Sequence, residues 1–194
     1  MKTLVIYAHP WKESFNSKVL KRVEETLIET NVDYRIIDLI ADDFDPVLKE
    51  KDLALFSKGI HQDPLAEDYA KALKEAKRLI FIFPIWWYGP PAIIKGFFDK
   101  VFLKNHVYKQ ENRGKMEGIL EIDQTIFLTS ANMSKEDFIK LGDPIQNVYV
   151  DGLMGLVGSK ENVWLPCNAV HDETARLQYM QDVADIIKNK NTNI

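Results

Sequence analysis

The sequence contains one cysteine, Cys167, among 194 residues. A lone cysteine excludes an intramolecular disulfide and the usual cysteine-based zinc sites, and it fits the reducing cytoplasm. Long apolar stretches are also missing. No run reaches the 18 residues of a membrane span, and the apolar run at 4–8 is too short for a signal peptide. We therefore expect a cytoplasmic protein without a membrane span.

An excess of positive charge is absent as well. The formal net charge is −4, from 25 Lys and Arg against 29 Asp and Glu. This balance gives no electrostatic basis for binding nucleic acid or an anionic membrane. Hydrophobic residues make up 46% of the chain and charged residues 28%, which is typical of a globular protein. The length predicts a single domain over residues 1–194.

Common motifs for phosphate and metal binding are missing too. Neither G-x-x-x-x-G-K-[ST] nor G-x-G-x-x-G occurs, which argues against a P-loop nucleotidase and an ordinary Rossmann site. The histidines at 9, 61, 106 and 171 are scattered, and no H-E-x-x-H is present. The acidic stretch at 42–45 lacks the glycine of a calcium-binding EF-hand loop. No metal site is predicted.

Five short apolar runs alternate with segments of helical periodicity. The runs predict strands at 4–8, 34–39, 79–83, 125–129 and 162–165. The segments predict helices at 15–27, 50–57, 64–77, 91–103, 144–156 and 172–188, with a further helix capped by Ser134. This alternation predicts an α/β fold, a doubly wound five-stranded parallel sheet with helices on both faces. Ligands of such sheets bind at the carboxyl ends of the strands.

The loop after the first strand is a candidate phosphate site. Residues 9–17 lead into a helix, and a helix N-terminus offers unpaired N–H groups to an anion. Ser14, Asn16 and Ser17 add short polar side chains, and His9 and Lys12 can add positive charge. A plain capped loop with a surface histidine is the alternative.

The loop after the third strand carries three adjacent aromatic residues, Trp86, Trp87 and Tyr88, between prolines. Loops lie on the surface, where such side chains expose apolar area, and a flat ring stacked on them would explain their presence. Stacking on a heterocycle contributes about 1–3 kcal/mol per ring, by analogy with nucleobases. Packing in the core or in a dimer interface is the alternative.

Small and polar residues follow the fourth strand, at Thr129, Ser130, Ala131 and Asn132. Their backbone N–H groups can approach a ligand closely, and the Asn132 amide can donate and accept hydrogen bonds. Such a loop suits the polar edge of a heterocycle. An ordinary loop with a helix N-cap is the alternative.

The first two loops resemble a known family. Ala8-His9 followed by Ser14-Phe15-Asn16 is similar to the A-H-x(4)-S-x-N opening of the NAD(P)H quinone oxidoreductases, the second flavodoxin-like family. Residues 83–92 resemble its F-P-x-x-W-[FY]-x-x-P-A segment, and residues 95–102 resemble the helix that follows. The family includes quinone reductases, modulator-of-drug-activity proteins and ancillary oxidoreductases of potassium efflux systems.

The resemblance implies a flavodoxin-like fold with strand order 2-1-3-4-5, a homodimer, and a bound flavin that receives electrons from NAD(P)H. FMN is expected, and FAD is the alternative, because the FAD-binding members extend further at the C-terminus. The implied reaction is a ping-pong transfer to a quinone or another small acceptor. The implied flavin-binding residues, with Ser17 added from the helix-start argument, are His9, Ser14, Phe15, Asn16, Ser17, Pro84, Ile85, Trp86, Trp87, Tyr88, Thr129, Ser130, Ala131 and Asn132.

The third loop departs from the family pattern. The quinone reductases have Thr-Thr-Gly-Gly there, followed by a Tyr and a His near the flavin. This chain has Ala131 and Asn132 for the glycines, Phe138 near the expected Tyr, and no histidine between His106 and His171. We assign no catalytic residue. A one-electron carrier of the flavodoxin type and a regulatory subunit that contacts a membrane transporter remain alternatives.

The helix predicted at 91–103 has an unusually wide apolar surface. Two neighbouring rows of apolar residues run along it, Ile93, Phe97 and Val101 in one and Ile94, Phe98 and Phe102 in the other. Together they exceed the stripe of about 100° that a surface helix needs. The surplus suggests a face against a second subunit, and deeper burial within the same domain is the alternative.

Overall fold

Five parallel strands form the central sheet in this computed structural model, which describes residues 2–110 and 114–189. They are β1 (Thr3–Tyr7), β2 (Tyr34–Asp38), β3 (Arg78–Pro84), β6 (Gln124–Ser130) and β7 (Glu161–Cys167). Their order is β2-β1-β3-β6-β7, and all four pairings are parallel. The predicted flavodoxin-like doubly wound sheet of order 2-1-3-4-5 is confirmed.

Helices cover both faces of this sheet. One face is covered by α1 (Phe15–Glu29) and α7 (Glu173–Lys188), which contact each other. The other face packs against α3 (Pro64–Glu75), α4 (Ala92–Val101) and the segment 145–157. The short helices α2 (Glu50–Phe56) and α5 (Lys135–Lys140) lie in the connections. Among the described residues, no helix is both long enough and apolar enough to cross a bilayer.

The alternation of side chains along β1 explains why residues 4–7 of the strand are all apolar. Val5 and Tyr7 belong to the core cluster under α1 and α7, whereas Leu4 and Ile6 belong to the cluster on the opposite face. Successive residues of a strand point to opposite faces, so a strand covered on both sides needs apolar residues at every position.

Residues 144–156 differ from the predicted α-helix. They form a π-helical segment, Ile145–Leu153, that continues as α6 (Met154–Val157). A Cβ on Gly152 would lie 2.9 Å from the carbonyl oxygen of Asn147, which is closer than a side-chain carbon normally approaches backbone. Glycine at this position therefore avoids a steric clash inside the wider coil. Over nine residues, apolar periodicity does not separate a π-helix from an α-helix. π-Helices are rare and often occur at functional sites.

A small antiparallel ribbon was missed by the sequence analysis. It pairs β4 (Tyr108–Lys109) with β5 (Glu117–Gly118). Each strand has two residues, which is too short for an alternating pattern to appear in the sequence. A Cβ on Gly118 would overlap the backbone at Val157 and Gly158, so this glycine allows the ribbon to pack against α6.

The two apolar rows of α4 are buried within the domain itself except at Ile93, which is partly buried against the same core. Phe97, Ile94 and Val101 have no exposed surface, and Phe98 and Phe102 are nearly buried. Gly96 contacts Pro46 so closely that a Cβ there would overlap it, which brings the loop after β2 onto the helix. The width of the apolar surface is therefore explained by the fold of one chain, and the homodimer stays a prediction from the resemblance.

A buried ion pair links α4 to the start of α3. The Lys100 ammonium lies 2.7 Å from Asp63 Oδ2 and donates to the carbonyl oxygen of Asp45 at 2.8 Å, with 5% of its side chain exposed. Asp63 also caps α3 by accepting the N–H of Leu65. Partial burial acts to raise the pKa of Asp63, but the Lys100 ammonium and the backbone N–H groups of Leu65 and Ala66 together lower it.

Replacing Lys100 should therefore destabilise the protein strongly. We expect Lys100→Ala to reduce the free energy of unfolding in urea by about 3–5 kcal/mol, because it leaves the Asp63 carboxylate without its partner. Lys95→Ala on the same helix is the matched control. It removes an exposed pair with Asp99 and should cost less than about 1 kcal/mol. Equal losses in the two variants would contradict this interpretation.

Candidate functional site

Three turns converge at the carboxyl edge of the sheet. Parallel register aligns Tyr7 with Ile82 and aligns Pro84 and Cys167 with Ser130 on either side. Because β1, β3 and β6 end at similar levels, the turns that follow them are neighbours. The three loops singled out in the sequence therefore lie side by side, as the parallel fold predicts.

The first turn is held rigid by its own side chains. Ser14 caps α1, and its Oγ accepts the N–H of Ser17 at 3.1 Å. The Ser17 hydroxyl lies 2.7 Å from the Tyr7 hydroxyl and donates to the carbonyl oxygen of Trp11 at 3.2 Å. Both serine side chains are thus used within the protein, and they shape the turn.

Backbone N–H groups and His9 of this turn are available to a ligand. Among the described residues, no hydrogen bond uses the N–H groups of Phe15 and Asn16 at the start of α1. His9 Nδ1 accepts the N–H of Trp11 at 3.1 Å, so a neutral His9 carries its proton on Nε2. Burial lowers the pKa of His9 and favours that neutral form. These donors suit a phosphate group.

A buried hydrogen bond connects the first turn to the third. Asn16 Nδ2 donates to Ser130 Oγ at 2.9 Å, and 2% of Asn16 is exposed. The residues lie 114 positions apart in sequence. Breaking such a bond in a buried site is costly, because both polar groups would then be removed from water without a hydrogen-bond partner. The turn at the start of α1 and the polar turn are consequently one unit.

The second turn is a strained two-residue hairpin. The N–H of Trp86 donates to the carbonyl oxygen of Gly89 at 3.0 Å, and the N–H of Gly89 donates back at 3.1 Å. The two central residues have positive φ, 51° at Trp87 and 65° at Tyr88. Two-residue turns of this kind normally contain Asn and Gly, because other residues meet steric strain of about 1–2 kcal/mol each.

Burial does not compensate for the strain at Trp87. Its side chain is 97% exposed, and Trp86 and Tyr88 are 48% and 40% exposed. Tyr88 packs edge-on against Phe138, with ring centroids 6.2 Å apart, and Trp86 meets His9 in the same manner and at the same distance. The turn thus presents a large exposed aromatic surface beside the first turn. Backbone strain that is not offset by burial is a marker of functional sites.

The third turn is fixed by backbone bonds on both sides. The N–H of Ile85 donates to the carbonyl oxygen of Ser130 at 2.8 Å, and the N–H of Ala131 donates to that of Cys167 at 2.9 Å. The Asn132 side chain is exposed, and its Oδ1 lies 3.0 Å from Nδ1 of His171 in the loop after β7. A fourth loop therefore meets the site.

A family model described as "Flavodoxin-like fold" matches residues 1–189 of the chain. The chain belongs to this flavodoxin-like family. The family resemblance found in the sequence is confirmed. An uncharacterized NAD(P)H oxidoreductase of Haemophilus influenzae is 31% identical over 166 residues, which cover 84% of this chain and 81% of that protein. NAD(P)H dehydrogenase (quinone) 1 of Cavia porcellus is 33% identical over 123 residues, 55% of this chain and 45% of that protein.

Solved structures of the same fold agree with this assignment. Smu.1420 from Streptococcus mutans is 30% identical with a TM-score of 0.81, over 97% of this chain and all of that one. The NAD(P)H:quinone oxidoreductase of Methanothermobacter marburgensis is 25% identical with a TM-score of 0.84, over 98% and 99%. An FMN-dependent NADH-azoreductase of Bacillus anthracis, solved with FMN, has a TM-score of 0.78 at 19% identity over 96% and 97%, which shows the shared fold.

The predicted flavin-binding residues of this family member divide into two groups by burial. Half are buried and can contribute backbone groups or hold the turns: Ser14, Asn16, Pro84, Ile85, Thr129, Ser130 and Ala131. The other half keep exposed side-chain surface: His9, Phe15, Ser17, Trp86, Trp87, Tyr88 and Asn132. The Thr129 hydroxyl is used by the protein, since it accepts the indole N–H of Trp164 at 2.8 Å.

His171 is the residue at this site that the sequence analysis missed. The sequence shows only that no histidine stands between His106 and His171. The contact with Asn132 spans 39 residues and joins two loops that follow neighbouring strands. The predicted pairing of the last two strands was the signal that could have found it, because it brings those loops together.

The strain at Trp87 predicts that stability and ligand binding can be separated. Asn tolerates positive φ better than Ala. We expect the Trp87→Asn variant to be more stable than the Trp87→Ala variant, with a free energy of unfolding in urea that is higher by up to about 1 kcal/mol. Both variants remove the ring and should bind flavin roughly 5- to 150-fold more weakly than wild type, the equivalent of about 1–3 kcal/mol of stacking. Full flavin affinity in either variant would contradict a stacking role for Trp87.

Proposed function

We propose that this chain is an FMN-dependent oxidoreductase that passes electrons from NAD(P)H to a quinone or another small acceptor. FMN would lie across the three turns, with its phosphate at the start of α1, its ring on the exposed aromatic residues and its polar edge at residues 129–132. FAD is the alternative cofactor, and structural neighbours solved with FMN support the choice of FMN.

The hydrogen bond between Asn16 and Ser130 is the observation that carries this proposal. It joins the turn at the start of α1 to the polar turn after β6, so that the two turns keep a fixed geometry. The exposed aromatic turn is attached to the same unit through the Ile85 N–H bond to Ser130. A ligand that used all three turns would need a phosphate, a flat ring and a polar ring edge, and FMN has these parts.

The donor groups available at the site fit such a ligand. The N–H groups of Phe15 and Asn16 point out of a helix N-terminus, where the helix dipole favours an anion. Neutral His9 would add its Nε2–H to the phosphate side. Trp86, Trp87 and Tyr88 expose apolar area that stacking would cover. The Asn132 carboxamide would meet the pyrimidine edge of the ring.

A flavin, when bound, supplies hydride acceptance from NAD(P)H and electron transfer to an acceptor. The residues of this chain would bind and orient it. Residues of the aromatic turn would exclude water from one face of the flavin ring and would position the ring against the edge of the sheet. Donors fixed at the polar edge would favour the negative charge that reduction places there. No acid or base side chain is assigned to the reaction.

The relatives support this class of reaction for the proposal. A protein 31% identical over most of the chain is named an NAD(P)H oxidoreductase. A structural neighbour at 25% identity, matched over nearly the whole length, is an NAD(P)H:quinone oxidoreductase. The cytoplasmic location and the homodimer are proposed with the function, on the lone cysteine and on the resemblance.

Uptake of FMN by the purified wild-type protein tests the proposal directly. We expect a one-to-one complex with flavin absorption bands, bleached by NADH or NADPH without oxygen and restored by a quinone. Titrations with riboflavin and FAD provide the controls. Riboflavin should bind more weakly because it lacks the phosphate that α1 would hold. A correctly folded protein that takes up no flavin at high concentration would exclude the proposal.

The bond between the turns can be tested by removing either partner. We expect Asn16→Ala and Ser130→Ala each to weaken FMN binding roughly fivefold, the equivalent of about 1 kcal/mol. The double variant should lose little more than either single one, because the same interaction is removed. Leu177→Ala, at an exposed position on α7, is the control and should bind FMN normally. Additive losses would mean that the two side chains act separately.

A further inference from the structure

His171 and Asn132 form a polar pair at the outer side of the third turn. His171 Nδ1 lies 3.0 Å from Asn132 Oδ1, and both side chains are exposed. The two loops are also joined by the bond from the Ala131 N–H to the carbonyl oxygen of Cys167. Asp172, next to His171, caps α7 by accepting the N–H of Ala175 at 2.8 Å, which fixes the chain at this point.

The chemistry of an amide determines the direction of this bond. A carboxamide oxygen only accepts hydrogen bonds, so His171 must donate from Nδ1. The donated bond determines which end of the Asn132 amide faces the imidazole. The amide NH₂ then points away from His171. No hydrogen bond among the described residues uses Asn132 Nδ2, so both of its N–H groups are available to a ligand.

We propose that His171 is a positioning residue that holds the Asn132 NH₂ toward the polar edge of the flavin, so that reduced flavin binds more tightly than it otherwise would. This inference rests on the proposed function. Reduction makes that edge negative, and a hydrogen bond to a charged group is stronger than one to a neutral group. A preoriented donor therefore favours the reduced form.

Without His171, the Asn132 amide can turn its oxygen toward the same edge. Oxygen facing the reduced ring would repel its negative charge, whereas the oxidised ring is neutral and discriminates less between the two orientations. The consequence is specific. Loss of His171 should reduce affinity for reduced flavin much more than affinity for oxidised flavin, which a general loosening of the loops would not do.

The test compares affinities of wild type and variants for oxidised and reduced FMN, measured anaerobically, together with the reduction potential of the bound flavin. We expect His171→Phe and Asn132→Ala each to weaken the binding of reduced FMN about tenfold, which is the scale of one hydrogen bond to a charged group. The affinity for oxidised FMN should change less than about twofold. The potential of bound flavin should become more negative in both variants.

Two further variants separate positioning from loop structure. His171→Gln keeps a donor for Asn132 Oδ1 and should restore most of the wild-type ratio of affinities. In the Asn132→Ala background, His171→Phe should have no further effect on that ratio, because the group it positions is gone. Equal weakening of both redox forms by His171→Phe, failure of His171→Gln to restore the ratio, or an undiminished effect without Asn132 would each overturn the proposal.

The wild-type measurement distinguishes this inference from the function on which it rests. A wild-type protein that binds no flavin overturns both. A wild-type protein that binds FMN and is reduced by NAD(P)H, combined with an unchanged affinity ratio in His171→Phe, overturns only the role of His171.

Discussion

The parallel register of β1, β3, β6 and β7 is the constraint on which the site depends. Because of this register, the strands end at the same edge of the sheet, and the turns that follow them are neighbours. The Asn16–Ser130 bond then converts proximity into a fixed geometry, since it is buried and both partners would lose a hydrogen bond if the turns separated. Fold and site are in this sense linked through one pair of side chains.

The aromatic turn shows a local conflict between stability and binding. Trp87 and Tyr88 occupy positions where Asn and Gly would be relaxed, and Trp87 gains almost nothing from burial. Only Tyr88 recovers part of the strain, through its contact with Phe138. A fold selected for stability alone would not keep this arrangement. A stacked ring would cover the exposed aromatic area and provide the missing compensation.

Most of the fold could be predicted from the sequence because its signals are local and repeated. The apolar strands, such as β1 (Thr3–Tyr7), and a helix cap such as Ser134 follow directly from burial on two faces and from unpaired N–H groups. The two-residue strands β4 and β5 and the π-helical coil at 145–153 could not be predicted, because neither leaves a distinguishable period. The width of the α4 surface could not distinguish a subunit interface from burial within the domain, because burial by distant segments of the same chain is a tertiary effect.

For the candidate site, the sequence identified turns better than it identified side-chain roles. The linear motif indicates that Asn16 is a phosphate ligand, yet its side-chain amide is buried and bonded to Ser130. In the proposed site it would therefore act through its backbone N–H and through the geometry of two turns. Asn132 and His171 are the reverse case, polar groups that no motif connects and that only the pairing of β6 with β7 brings together. Under our proposal, buried polar residues therefore fix the site, and exposed ones determine how it discriminates between charge states of a ligand. Variation at the exposed positions can alter that discrimination without disturbing the sheet edge that holds them.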